Sequence, residues 1–376
     1  MTVVLDGLTW EHPRAWRGLE AACAALPEVS VRWQRQSLAG FEHEPVAQLA
    51  QRYDLLVIDH PGLGAAVAGD ALVPVADVVD TVDLAGWQEE SIAATWSSYT
   101  VDDVLWALPL DAATQATVYR ADLLAEPPRR WEDVAELSRS KPVALCLGGP
   151  HAGLMLLAMV AERRPGRTTL LDADRTAAAI DLLRRLWRSV DREASGLDPI
   201  GLHDLLATTD DLACCPLTYT YAVYGSTESG RPLSWSPAPT FGTAGWEAAS
   251  VLGGTGLAVS ARALDRPEAL RSVVRQLMNP RVQLDVVAPR GGQPAVRSVW
   301  DSATADAAVN GHYSGTRESL DGAYVRPRHN GWIAFQDELS HRVREALTTT
   351  APTDQVVADL EHAYSRSRFV TQQEVR

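Results

Sequence analysis

The stretch Leu105–Leu124, LWALPLDAATQATVYRADLL, decides how the rest of the chain is read. It opens as a short apolar strand ending at Pro109 and crosses a small polar segment that holds Asp111 and Gln115. It then re-enters an apolar run at Thr117-Val118-Tyr119 and stops in Arg120-Ala121-Asp122-Leu123-Leu124. A chain that leaves one sheet and enters another reads in this way. Asp111 and Gln115 are polar inside an apolar passage, so they either face a cleft or satisfy backbone groups at the crossing.

Outward from this stretch, strands alternate with amphipathic helices. On the N-terminal side, Val3–Leu5 reads as a strand, Pro13–Leu26 as a helix, Val29–Trp33 as a strand, Val46–Gln51 as a helix and Tyr53–Asp59 as a buried strand. Such a βαβαβ opening implies a mostly parallel sheet. Gly62–Gly69 reads as another helix and Ala71–Val75 as a strand. On the C-terminal side the spacing predicts a strand at Pro142–Leu147 and helices at Gly153–Glu162 and Asp174–Val190. A strand at Asp211–Leu217 and a glycine-rich strand at Leu252–Ala261 follow. Helices are expected at Pro267–Leu277, Arg281–Val287, Ile333–Leu347 and Thr353–Tyr364, with a frayed polar tail from Ser365. There are no internal repeats.

Composition narrows the partners. The 376 residues are 46% hydrophobic and 22% charged, enough for two or three average domains or two lobes of one architecture. A formal net charge of −14 argues against a nucleic-acid partner, which needs clustered Lys and Arg to displace counterions. Lys141 is the only lysine. The four cysteines, Cys23, Cys146, Cys214 and Cys215, show neither CxxC nor zinc spacing, so no metal or cofactor is expected. The adjacent pair fits no ordinary disulfide, which favours reduced thiols. Met1-Thr2 runs straight into VVLDGLTW with no basic and apolar leader, and no stretch approaches a membrane span. The expectation is a cytoplasmic protein, or a periplasmic or cell-surface one whose signal peptide has been removed.

Several passages share an order with a known family. Leu108-Pro109 is followed by Tyr119-Arg120-Ala121-Asp122-Leu123-Leu124 and then by Pro128-Arg129-Arg130-Trp131-Glu132-Asp133-Val134. Upstream stands Leu72-Val73-Pro74, and downstream Gly253-Gly254-Thr255-Gly256-Leu257-Ala258-Val259-Ser260-Ala261. From about Val3 to Leu360 the chain resembles the extracellular solute-binding proteins of family 1, the sugar-binding class. The resemblance implies an α/β, two-lobed type 2 periplasmic-binding-protein-like fold with a hinge and an inter-lobe cleft. It implies discontinuous lobes, 1–110 with 257–298 and 111–256 with 299–376. The role it implies is binding of a small molecule, with a permease partner only if the chain is exported.

The candidate ligand residues cluster at strand ends, where open α/β sheets bind. Trp10 follows the first strand and is suited to stacking on a sugar. His12 and Arg14 sit where the first helix begins and suit an anion. Asp59 and His60 close the third strand, as hydrogen-bonding groups, as an acid/base pair, or as a helix cap before Pro61. Asp111 and Gln115 mark the first crossing and Gly254 the second. Tyr219 and Tyr221 share a face if their segment is extended. Arg290 and Gln293 lie in the turn-rich loop Pro289–Pro294. The expected function is a cytosolic protein that closes over a polar, sugar-like or carboxylate-bearing ligand. The rivals are an enzyme on the same scaffold, using Cys215, His60 or a carboxylate, and an exported ABC-transporter component.

Overall fold

The computed structural model describes residues 2–161, 170–242 and 250–369. Three parallel strands open the chain: β1 (Val3–Trp10), β2 (Val29–Gln36) and β3 (Leu55–Ile58), with β1 in the middle. Helix α1 (Pro13–Cys23) makes the first connection. Proline at its first position and the His12 side chain, which accepts from the Arg14 amide, mark its start. A short helix, α2 (Leu38–His43), leaves the end of β2 and is capped by Ser37. β4 (Thr100–Val101) and β5 (Val104–Leu105) form a small hairpin ahead of the deciding stretch.

That stretch is one continuous strand, β6 (Ala107–Tyr119), rather than a strand interrupted by a polar crossing. Its backbone stays paired throughout because its neighbours change. Ala107 to Thr114 pair antiparallel with β9 (Leu252–Val259), while Gln115 to Tyr119 pair with β7 (Cys214–Tyr219) and β8 (Ser234–Ser236). A register shift between Pro109 and Asp111 absorbs the missing proline N–H. β9 also pairs antiparallel with β3, giving the order β2-β1-β3-β9-β6-β7, with β8 on β6. The two long strands β6 and β9 therefore run side by side through the middle of the molecule. Gly254 in β9 has φ +105°, and a side chain there would strike the Asp111 carbonyl, so glycine is required.

Beyond β6, helices α3 (His151–Val160) and α4 (Ala173–Leu186) pack with the C-terminal pair α6 (Trp332–Thr348) and α7 (Thr353–Ser367). All ten residues of α3 are buried, which explains its unbroken apolar sequence. Helix α5 (Pro267–Met278) instead packs against α1 and β2. The α-helical part of α1 ends at Cys23, short of the expected Leu26, and α6 runs one residue past each expected end.

Other expectations needed correction. β1 continues five residues past Leu5, so Trp10 lies within the strand, held by full pairing with β2. Leu72 and Val143 make only single bridges, to Ser260 and Cys214. The strand expected at Asp211–Leu217 begins at Cys214, which puts Cys215 near its start and not its end. Gln283–Val287 forms a π-helical turn. Ser365–Ser367 belong to α7, and 370–376 lie outside the described residues, as do 162–169 and 243–249.

Candidate functional site

A cavity of 540 Å³ opens where β1 and β3 end, beside the glycines of β9. This is the edge at which sheets of this kind bind ligands, and the volume lies in the usual range for small-molecule sites. One wall is aromatic. Trp10 stacks on His12 with ring centroids 5.3 Å apart, leans on Phe41 of α2 at 5.7 Å and meets the edge of Tyr221 at 6.1 Å. Tyr219, the last residue of β7, donates from its hydroxyl to the Leu252 carbonyl and lies over Gly253, where a β-carbon would be 2.6 Å from its ring.

Six of the sequence-identified residues line the cavity: Trp10, Arg14, Asp59, Tyr219, Tyr221 and Gly254. The two charged ones are already paired. Arg14 is buried and donates from Nε and Nη2 to the two Asp111 carboxylate oxygens, with Nη1 3.4 Å from the Thr220 carbonyl. Its guanidinium also lies 4.8 Å from the Tyr221 ring centre. Asp59 accepts from Arg326 Nη2 at 2.8 and 2.6 Å and from the His60 amide. Burial alone would raise its pKa, but Arg326 and His60 outweigh that and hold it at about 2.

The other six stand outside the cavity wall. His12 caps α1 behind Trp10. Burial, with Arg14 next to it, pushes its pKa down to about 3, so it is neutral. His60 is buried against the edge of the Tyr99 ring, and burial followed by Arg326 brings it to about 4. Asp111 is the carboxylate partner of Arg14. Gln115 is buried, and its Oε1 accepts from the Val251 amide. Gln293 is fully buried; it accepts from the Ala222 amide and donates to the Ala112 carbonyl, tying β6 to the segment after β7. Arg290 is exposed and donates to the Val286 carbonyl. His12, Arg14 and Arg290 therefore do not converge on one anion.

Three residues that sequence reasoning missed complete the site. Arg326, 3% exposed, lies on the run between Tyr324 and α6. Besides Asp59 it donates to Gln336 Oε1 and to the Leu252 carbonyl. Glu42 on α2 and His151 at the start of α3 face each other, with a carboxylate oxygen 3.5 Å from Nε2. A second contact, His43 to Asp337 at 3.3 Å, joins α2 to α6. The signal in the sequence is slight: Arg326 lies in Tyr324-Val325-Arg326-Pro327-Arg328-His329-Asn330-Gly331-Trp332, a run that reads as an ordered loop ahead of the helix expected at Ile333–Leu347.

The proposed nucleophile is elsewhere. Cys215 is fully buried, and burial, followed by the neighbouring Cys214, pushes its thiol pKa far up, the reverse of what a reactive thiolate needs. Among the described residues no group of three or more His, Cys, Asp or Glu is placed to hold a metal ion, and no helix is long and apolar enough to cross a membrane.

The fold recurs in solved structures. Maltose-bound MalE3 of T. maritima is 15% identical, with 97% of this chain and 100% of that chain covered at a TM-score of 0.76. An ABC transporter solute-binding protein of Agrobacterium radiobacter K84, in complex with ribitol, is 15% identical over 97% of this chain and 98% of that one, also at 0.76. The GacH receptor of Streptomyces glaucescens GLA.O, solved unliganded and with acarbose and an acarbose homolog, is 16% identical over 98% of each chain at 0.78. These likenesses establish the two-lobed α/β fold expected from the sequence. No curated protein matches. The family described as bacterial extracellular solute-binding protein matches residues 23–311, and its extracellular character gives no support to a cytoplasmic location. A match over that much of the sequence makes this chain a member of the bacterial extracellular solute-binding protein family.

Proposed function

We propose that the protein binds a small polyhydroxylated solute, a sugar or polyol, in the cavity beside β1, β3 and β9. The observation that carries this reading is the aromatic wall of Trp10, Phe41, Tyr219 and Tyr221 around a 540 Å³ space. Flat apolar ring faces match the C–H faces of a sugar, while Asp59, Arg326 and Gln336 supply hydrogen-bonding edges. Solved relatives of the same fold hold maltose, ribitol and acarbose, which agrees with this chemistry. A free carboxylate or phosphate fits less well, because Arg14 and Arg326 are already neutralised by Asp111 and Asp59.

In this reading the lobes are 1–110 with 257–298 and 111–256 with 299–376, and β6 and β9 form the hinge on which they close. The protein works outside the cytoplasm, as its family does, and hands its solute to a permease. Titration calorimetry with maltose and ribitol, paired with small-angle scattering, tests both halves. Saturable binding with a smaller radius of gyration is expected. Binding with an unchanged radius would remove the hinge, and absence of binding across a panel of sugars and polyols would remove the solute class.

A further inference from the structure

The cavity contains a carboxylate without an arginine. Of the acidic side chains that line it, Asp59 is held by Arg326, Glu44 lies 3.3 Å from Arg52 and Asp337 lies 3.3 Å from His43. Glu42 has no arginine: His151 faces it, its chain neighbour His43 feels its field, and its side chain is 20% exposed. His151 is 3% exposed, and neither of its ring nitrogens has a hydrogen-bond partner among the described residues; the 3.5 Å approach of Nε2 to Glu42 falls short of hydrogen-bond alignment. A buried imidazole left unsatisfied at a cavity wall is costly unless something in the cavity completes it. Around the pair stand π-faces: Phe41 adjoins Glu42 in the chain and packs on Trp10, and Tyr219 meets His151 edge-on at 6.0 Å.

We infer that the solute carries a protonated amine, as an amine-bearing sugar or polyol does, and that its ammonium pairs with Glu42 and donates to the free lone pair of His151. The inference rests on the sugar or polyol reading of the same cavity and adds the sign of the ligand's charge. Three options compare on electrostatics alone. An anion meets Glu42 with no unspent arginine in the wall. A neutral sugar leaves Glu42 losing water with no arginine paired to it when it fills the space. An ammonium supplies both the counter-charge and three donors, and the aromatic faces attract a cation further.

Matched pairs provide the test: glucosamine against glucose, and the glucosamine disaccharide against maltose, each titrated calorimetrically into the wild-type protein and Glu42→Gln. The amine of each pair is expected to bind the wild type at least about tenfold more tightly, and Glu42→Gln is expected to erase the preference. Melting temperatures without ligand separate binding from structure: Glu42→Gln melts no lower than the wild type if Glu42 waits for a ligand. Equal or tighter binding of the neutral sugars overturns the inference and leaves the proposed function standing. A preference that survives in Glu42→Gln also overturns it, and strong destabilisation of that variant makes Glu42 a strut for α2. If neither member of any pair binds, the sugar reading fails and the inference falls with it.

Discussion

Arg14 and Arg326 are both buried at the cavity and both neutralised by one aspartate, yet they are wired differently. Arg14 uses all three of its nitrogens, on Asp111 and the Thr220 carbonyl, under the Tyr221 ring. It sits among three buried histidines, His12, His203 and His312, each with its pKa lowered by burial first and by Arg14 as a further cause. Arg326 leaves its Nε without a partner, and its Asp59 is 27% exposed. The Arg14 knot is closed and belongs to the architecture, whereas the Arg326 knot remains open to the cavity. Buried ion pairs add little net stability over an apolar filling, so what they chiefly fix is which groups meet.

The largest effect that can break this contrast comes from removing each carboxylate. Asp111→Ala and Asp59→Ala each strand a buried guanidinium and should each cost about 3–5 kcal/mol in denaturant unfolding. Their ligand effects should part. Measured under conditions where both variants remain folded, Asp59→Ala weakens sugar binding by about tenfold or more, while Asp111→Ala leaves it near the wild-type value. Equal affinity losses would show that both arginines are ligand groups.

Acid comes next. A histidine held neutral by burial has a folded pKa below its unfolded value near 6.5, so its contribution is intact above that value and is lost as pH falls toward the folded pKa. His12 at about 3, His203 at about 4 and His312, also held well below its ordinary value, act together, with His60 at about 4 on the Arg326 side. The stability slope should reach several kcal/mol per pH unit near pH 5, at about 1.4 kcal/mol per unit for each histidine. Asp59, at about 2 against an ordinary 3.8, works in a lower window, stabilising above the ordinary value and losing its effect as pH falls to about 2. Melting curves from neutral pH down to about 4 check the order: His203→Phe flattens the slope if the Arg14 side dominates.

The same contrast shows what was legible in the sequence. β6 and β9 could be read because apolar runs and the double glycine are local signals, and Trp10 and Asp59 because strand ends are where such sheets bind. The break expected inside Leu105–Tyr119 was wrong because a strand can change partners midway without losing a hydrogen bond, and no local pattern records that. Arg326 was missed because its partner Asp59 stands 267 residues away, and Glu42 with His151 because the facing of α2 and α3 exists only in the folded chain. Arg14 reads from the sequence as suited to an anion because its partner Asp111 stands 97 residues on.

A smaller effect concerns Cys215, which lies on β7 and is not part of the cavity lining. With burial raising its thiol pKa, iodoacetamide should label it slowly at neutral pH, and Cys215→Ser should leave sugar affinity unchanged. Fast labelling that a bound sugar slows would put reactive chemistry beside the cavity and revive the enzyme.

The smallest expected effect sharpens the contrast from outside, with an arginine that belongs to neither knot. Arg290 lies in the loop after the π-helical turn, exposed, and donates at 2.9 Å to the Val286 carbonyl four residues back. A hydrogen bond of that kind, in water's reach, competes with solvent and contributes little. Arg290→Ala should therefore change unfolding free energy by less than about 0.5 kcal/mol and leave the calorimetric affinity for any sugar unaltered. Arg290→Ala makes a chain of net −14 one charge more negative, whereas Asp59→Ala and Asp111→Ala each make it one charge less negative, so an effect of net charge alone would carry opposite signs in the two kinds of variant. If Arg290→Ala changed binding as much as Asp59→Ala but in the opposite direction, the field of the whole protein and not the wiring of the cavity would govern the ligand, and the distinction between open and closed knots would lose its meaning.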